Sequence, residues 1–196
     1  MARRCSARAA AVTAVLVILG TGRMHAQALP LDTSEQQRPN RPVSWPRLQL
    51  SDPVARRATL KALDEAWQLL AQPDCVALLA GFSDSSGRPL EQHLESLSLD
   101  PQTYLTMLVF IDGSREVVCV EGVFAFTAPG SRVVRLCVDE LKRTSQQSPR
   151  HTAASFIHEM LHSLGLGENP PSPKEITRRV LAACHRDEIV PRHIIF

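Results

Sequence analysis

The sequence lacks the features that define several functional classes. Its longest apolar run, residues 9–20, has 12 residues, whereas a membrane-spanning helix needs about 20. It contains no G-x-S-x-G motif, no phosphate-binding P-loop and no dinucleotide fingerprint, so serine-hydrolase and nucleotide chemistry have no support. No two cysteines have C-x-x-C spacing, which argues against a cysteine zinc site.

The first 28 residues have the pattern of a secretory signal peptide. An arginine-containing start is followed by the apolar run 9–20 and then by small residues at Ala26 and Ala28. This order of basic, apolar and small residues is typical of a cleaved export signal. We therefore expect a secreted or periplasmic protein with no membrane anchor after signal cleavage.

Removal of this segment changes the charge balance. Four of the 22 basic residues and none of the 20 acidic residues lie within it. The formal charge of the remaining chain is therefore about −2 rather than +2. No strongly basic surface is expected, so nucleic acid is not a predicted partner.

Four cysteines remain after the signal segment, and an even number in an exported chain favours two disulfides. Four cysteines allow three pairings. We favour Cys119–Cys137, because these residues flank a predicted hairpin, which leaves Cys75 to pair with Cys184.

The rest of the chain divides into a Pro-rich flexible arm over residues 29–50 and a single domain over residues 51–196. About 170 residues suffice for one domain with its own core. Apolar periodicity and capping residues predict an α+β fold, with a small mixed or antiparallel sheet packed on the helix at 149–164 and with flanking helices. The predicted helices cover residues 53–70, 75–79, 89–97, 149–164 and 173–184, and the predicted strands cover 105–111, 117–120, 123–127 and 133–138.

The most informative motif is H-E-M-L-H-S-L-G-L-G-E, which begins at His158. The H-E-x-x-H spacing places His158 and His162 on one helical face, so that both imidazoles can bind one metal ion. Gly165 allows the chain to reverse after the helix and return Glu168 towards the metal. Two nitrogens and one oxygen leave an open fourth position on a tetrahedral Zn²⁺, which is typical of a catalytic site.

Glu159 follows the first of these ligands in the sequence. A carboxylate at this position is suited to act as the general base that takes a proton from a zinc-activated water. The motif therefore predicts a zinc-dependent hydrolase acting on peptide bonds, with a peptide or protein as substrate.

The motif resembles that of the zincin metallopeptidases, in particular the metzincin pattern H-E-x-x-H-x-x-G-x-x-H/D, with Glu168 in place of the final His or Asp. The resemblance implies a zincin-like fold, in which a sheet packs on the H-E-x-x-H helix and an edge strand binds extended substrate. Here that edge strand would lie near residues 133–138. The chain departs from metzincins in having no methionine after Met160 and no tyrosine after Glu168.

Several alternatives stay open at this point. Glu175 is a second candidate for the third ligand, since other zincins use a glutamate from a following helix. The protein is either a peptidase, a non-catalytic zinc-binding module or a zinc amidase acting on a non-peptide amide. His151 either contacts substrate or merely lies in the first turn of its helix, and His185 either stabilises an oxyanion or is a solvated histidine. The oligomeric state is left undetermined.

Overall fold

Four short strands form one mixed sheet. In the computed structural model, which describes residues 45–121 and 123–184, the strands are β1 (Arg47–Gln49), β2 (Val109–Asp112), β3 (Ala125–Phe126) and β4 (Val133–Leu136). The spatial order is β1-β2-β4-β3. Strands β1, β2 and β4 run parallel, and β3 pairs antiparallel with β4 at one edge.

Seven α-helices surround this sheet in the described part of the chain. They are α1 (Pro53–Leu69), α2 (Pro73–Ala77), α3 (Leu90–Ser96), α4 (Pro101–Thr106), α5 (Val138–Gln147), α6 (Pro149–Ser163) and α7 (Pro173–Cys184). Two short 3₁₀ segments, Leu78–Gly81 and Val117–Glu121, complete the regular structure. The α+β class predicted from the sequence is confirmed.

Local sequence signals explain where most of these helices begin. Five of the seven described helices start at a proline, the position where its missing N–H is not needed and its fixed φ is already helical. The Asp52 carboxylate caps α1 by accepting from two backbone N–H groups, each at 2.8 Å. The Ser148 hydroxyl caps α6 in the same way. Such caps satisfy backbone donors that have no partner inside the helix.

Helix α6 lies at the centre of the fold. It packs against α1, α5, α7 and β3, and every residue from Thr152 to Ser163 is buried. The Phe156 ring lies 5.1 Å from the Phe110 ring of β2, which joins the helix to the sheet. Because α6 is enclosed in this way, side chains in its second half are held in a largely dehydrated environment.

All four predicted strands need correction; the strand predicted at 123–127 is confined to Ala125–Phe126. Residues 105 and 106 belong to α4, because Asp100 caps that helix through the Thr103 N–H at 2.8 Å; β2 therefore starts at residue 109. Residues 117–121 form a 3₁₀ turn although valine favours strands, because the disulfide of Cys119 and short-range hydrogen bonds hold a tight reversal here. The last predicted strand ends at residue 136, and the chain continues as α5, which the sequence analysis missed.

Two further predictions need correction. The edge strand expected near residues 133–138 is an interior strand, since β4 lies between β2 and β3, and the two edges are formed by β1 and β3. The arm assigned to residues 29–50 ends earlier than predicted, because β1 pairs with β2 and Leu50 is part of the core. The signal segment and residues 29–44 lie outside the described residues.

Both disulfides are present as predicted. Cys75–Cys184 joins α2 to the end of α7, and Cys119–Cys137 closes the segment that carries β3 and β4. Two disulfides are typical of a protein in an oxidising, extracellular environment. Within residues 45–121 and 123–184, no helix has the length and apolar character needed to cross a membrane.

The two disulfides should contribute unequally to stability. Cys75–Cys184 spans 109 residues and Cys119–Cys137 spans 18, and loop-closure entropy grows with the logarithm of loop length. Replacing the first pair by serine should lower the free energy of unfolding by about 5 kcal/mol, and replacing the second pair by about 3 kcal/mol. Urea unfolding followed by circular dichroism measures both values. The reverse order of the two losses would contradict this prediction.

Candidate metal centre

Two histidines of α6 bring their ring nitrogens together. The Nε2 atoms of His158 and His162 are 2.8 Å apart, and the two residues are only 6% and 3% exposed. Their spacing of one helical turn places both rings on the same face, as the sequence predicts. Two nitrogen donors thus point at one position at the edge of the helix.

Glu168 reaches the same position because the chain reverses at the end of α6. Gly165 has φ +110°, its N–H donates to the His162 carbonyl at 2.8 Å, and the Leu166 N–H donates to the Leu161 carbonyl at 3.1 Å. This pair of bonds is a Schellman helix end, in which glycine takes the left-handed position. Glu168 Oε1 then lies 3.2 Å from His162 Nε2 and 3.9 Å from His158 Nε2.

These three ligand atoms fit a divalent metal ion. They all lie within 4.8 Å of one another. Metal–ligand bonds of about 2.0–2.1 Å in tetrahedral geometry separate neighbouring ligand atoms by roughly 3.3 Å, and the observed separations of 2.8, 3.2 and 3.9 Å scatter about that value. Two imidazoles and one carboxylate suit Zn²⁺ and several other divalent transition metals. The predicted ligand group, His158, His162 and Glu168, could therefore hold a metal ion.

Hydrogen bonds at the Nδ1 atoms of both histidines favour the tautomer in which Nε2 is unprotonated and can bind a metal. His162 Nδ1 lies 2.8 Å from the Leu166 carbonyl and His158 Nδ1 lies 2.8 Å from the Thr177 hydroxyl of α7. A carbonyl only accepts, so His162 Nδ1 carries the proton and its Nε2 lone pair faces the ligand group. With Thr177 accepting in the same way, Nε2 of His158 is also free to bind a metal.

Burial keeps His158 neutral at physiological pH. The pKa of His158 falls to about 3, first because burial disfavours its charged form and then because a second positive charge so close to His162 and His151 is electrostatically unfavourable. A neutral imidazole is the metal-binding form. His158 therefore needs no deprotonation near pH 7 before it binds a metal.

Side chains from the first half of the domain secure the end of α6. His93 Nδ1 lies 2.9 Å from the Leu164 carbonyl, and the Tyr104 hydroxyl donates to the Ser163 carbonyl at 3.1 Å. These carbonyls belong to the group at a helix end that lacks partners within the helix. The two contacts hold the helix end from which the third ligand departs.

The loop before α3 supports the turn itself. Asp84 forms an isolated antiparallel bridge with Leu166, and a Cβ atom on Gly165 would lie 3.1 Å from the Asp84 Cβ. Hydrogen bonding from the Ser86 hydroxyl, together with the Arg88 and Ser86 backbone N–H groups and the Arg88 charge, lowers the pKa of Asp84 to about 2. The Asp84 carboxylate thus stays ionised and keeps its own loop folded against the turn.

Glu159 is a buried acid beside the metal group. It is only 5% exposed, and burial raises its pKa to about 8; the negative charge of Glu168 adds to the rise, and the Thr127 side chain opposes it. Among the described residues, however, neither Glu159 Oε2 nor Thr127 Oγ1 has a partner at hydrogen-bonding geometry. An unpartnered oxygen of a buried acid is unusual in folded proteins and is typical of a functional site.

A cavity of about 550 Å³ opens in front of these groups. Helix α6 forms one wall, through His151, Ser155, His158, Glu159 and His162; the segment from Val123 to Thr127, with Val118, forms another wall. One wall is therefore mainly polar and the other mainly apolar. The volume falls in the range of small-molecule and peptide-binding clefts.

The remaining sequence candidates lie apart from the ligand group or outside the described residues. Glu175 is not part of the ligand group; its carboxylate pairs with the Arg178 guanidinium at 2.7 and 2.8 Å, because helical spacing turns it along the surface of α7. His151 lines the cavity, whereas His185 lies outside the described residues. The sequence analysis missed Thr127 and Thr177, since no local pattern marks a hydroxyl that meets the site only after folding.

No protein family, curated protein or solved structure matches this chain. The resemblance to zincin metallopeptidases therefore remains one of motif and element order.

The bond from His158 to Thr177 should contribute measurably to metal affinity. Replacing Thr177 by Val keeps the shape of the side chain but removes the oxygen that orients the ring, so we expect zinc affinity to fall about 10- to 100-fold. Thr177→Ser retains a hydroxyl, so its loss of zinc affinity should be far smaller. Competition with a chromogenic chelator measures both affinities. Equal affinities for wild type and Thr177→Val would contradict this role.

Two glutamate substitutions distinguish the candidate third ligands. Glu168→Gln removes a carboxylate from the ligand group, so zinc affinity should fall more than about 100-fold, beyond the usual effect of an outer-shell change. Glu175→Gln, the matched control, should leave affinity unchanged. The same chelator competition reports both. A large loss for Glu175→Gln with none for Glu168→Gln would reverse the assignment.

Proposed function

We propose that this protein is an exported zinc-dependent metallopeptidase of the zincin type. The observation that carries the proposal is the meeting of His158, His162 and Glu168 at one point, with the buried acid Glu159 facing the same cavity. Two neutral imidazoles, one carboxylate and an adjacent general base are the parts that zinc-dependent hydrolysis requires. The predicted signal segment and the two disulfides support export.

In this proposal the ligand group holds Zn²⁺, which when bound would polarise the scissile carbonyl and lower the pKa of a water molecule towards about 7. Glu159 takes the proton of the attacking water and passes it to the leaving amine. Burial suits Glu159 to this work, because a carboxyl whose pKa lies near the working pH both accepts and returns a proton readily. The hydroxyl of Thr177 and the carbonyl of Leu166 keep the two rings in place during the reaction.

The edge strand β3 is the proposed binding strand for substrate. It lies at the end of the sheet order, and both of its residues, Ala125 and Phe126, line the cavity. An extended peptide can add to such an edge through main-chain hydrogen bonds. This arrangement would align a scissile bond with the ligand group across the cleft.

The cavity also favours a catalytic role over a non-catalytic zinc module. A structural zinc site is closed by four protein ligands, whereas a catalytic site keeps a position open. Here three ligands from the described residues face a cavity of about 550 Å³ that also contains Glu159. The edge strand beside the ligands favours a peptide over a compact non-peptide amide.

Replacing Glu159 by Gln tests the proposal directly. The change preserves size and leaves the three ligands intact, so zinc content should stay at one ion per chain while peptidase activity falls about 10²- to 10⁴-fold. Mass spectrometry of a broad peptide library measures cleavage, and elemental analysis measures zinc. Glu175→Gln is the matched control and should remain active.

Two outcomes would overturn the proposal. The first is an absence of any cleavage by the zinc-loaded wild-type protein across the library. The second is equal cleavage by wild type and Glu159→Gln, which would assign the activity to another source. Loss of activity on zinc chelation and its recovery on zinc addition should accompany the expected result.

A further inference from the structure

The polar wall of the cavity continues well beyond the ligand group. His151 and Ser155 lie seven and three residues before His158 on α6, and both line the cavity. This spacing places them on the same helical face as the ligands. By the rise of the helix, His151 is about 10 Å from His158 along the axis.

In the described ranges of the chain, no side-chain hydrogen bond satisfies the ring nitrogens of His151 or the hydroxyl of Ser155. His151 is half-buried and its ring lies 6.3 Å from the ring of Phe124, which also lines the cavity. The aromatic contact restrains the imidazole at the cavity while its nitrogens stay available.

The charges around this end of the cavity favour an anionic group. The acids that line the cavity, Glu159 and Glu168, belong to the metal end. His151 is the only described lining residue outside the ligand pair that can carry a positive charge. It also lies in the first turn of the 15-residue helix α6, where the helix dipole attracts negative charge.

The distance between this end and the ligand group matches an extended peptide. A chain lying along the cleft advances about 3.3 Å per residue, so about 10 Å corresponds to three residues. A group bound at His151 would thus lie about three residues from the bond held at the metal. The apolar wall of Val123 and Phe124 would shield that contact from water and strengthen it.

We propose that His151 and Ser155 form a carboxylate-binding subsite for the substrate, about three residues from the scissile bond. The carboxylate is either an acidic side chain or the free end of the peptide, because both present the same two oxygens to the imidazole N–H and the serine hydroxyl. The role of this subsite in binding a peptide substrate rests on the proposed peptidase function. His151 is here a substrate-binding residue and takes no part in the proton transfer assigned to Glu159.

The test measures binding, so that it does not depend on turnover. The zinc-loaded Glu159→Gln protein is titrated into pairs of fluorescent peptides with amidated carboxyl termini. The peptides of a pair have no other charged side chain and differ at one position, where one carries Glu and the other Gln; successive pairs move this position along the peptide. A second pair carries no Glu and differs only in a free or amidated carboxyl terminus. Fluorescence anisotropy reports each affinity, with and without zinc.

We expect the best Glu peptide, or the peptide with a free terminus, to bind about 10-fold more tightly than its neutral counterpart. Adding His151→Gln should abolish this difference while leaving the affinity for the neutral peptide unchanged. His151→Lys should retain the preference. Arg150→Gln, which removes a cation from an exposed neighbouring position, is the matched control and should also retain it.

The outcomes separate this inference from the proposed function. Equal affinities for Glu, Gln, free and amidated peptides would overturn the subsite, as would a preference that survives His151→Gln. Either result leaves the peptidase proposal intact if the wild-type protein cleaves peptides. Conversely, a His151-dependent carboxylate preference in a protein that cleaves nothing would support the subsite and count against the peptidase. Zinc content and melting temperature of each variant confirm that the fold is preserved.

Discussion

The reversal of the backbone after α6 is the constraint on which the candidate site depends. Two histidines one turn apart are available on any suitable helix, but a third ligand six residues further on would lie on a different face if the helix continued. Gly165 ends the helix in the left-handed conformation and returns Glu168 to within 3.2 Å of the His162 ring. A side chain at residue 165 would strain that conformation and press on Asp84. The site therefore needs both Gly165 and the loop that carries Asp84.

Burial gives this arrangement its chemical character. The ligand rings and Glu159 are nearly inaccessible to bulk solvent, so the charged forms of His158 and Glu159 are both disfavoured, with opposite effects on their pKa values. The same enclosure strengthens the hydrogen bonds that orient the rings, between His158 Nδ1 and the Thr177 hydroxyl and from the His162 Nδ1–H to the Leu166 carbonyl. Each disulfide holds one side of the site, because Cys184 ends the helix that carries Thr177 and the loop from Cys119 to Cys137 carries the apolar wall.

The parts of the fold that the sequence predicts well are those governed by short-range signals. Prolines and capping side chains mark the starts of α1, α6 and α7, and the H-E-x-x-H spacing with a following glycine predicts the ligand group. Predictions failed where short-range signals conflict with longer-range ones. The valines of 117–121 favour a strand, yet a disulfide to a residue 18 positions away holds a turn. The edge position of β3 was missed because the order of strands in a sheet depends on how the connections between strands run through the whole fold.

The sequence by itself determined the helix that carries both histidines, through its Ser148 cap and Pro149 start, and it determined the following turn and the three candidate ligands, because the turn and these ligands lie within the eleven residues 158–168. Only the tertiary structure decided what surrounds them. Thr177 reaches His158 from another helix, and Thr127, which follows the edge strand, lines the same cavity as Glu159. His151 gains its apolar neighbour Phe124 in the same way. Contacts between residues far apart in the chain arise from packing of whole elements, and no local pattern of residue types encodes them.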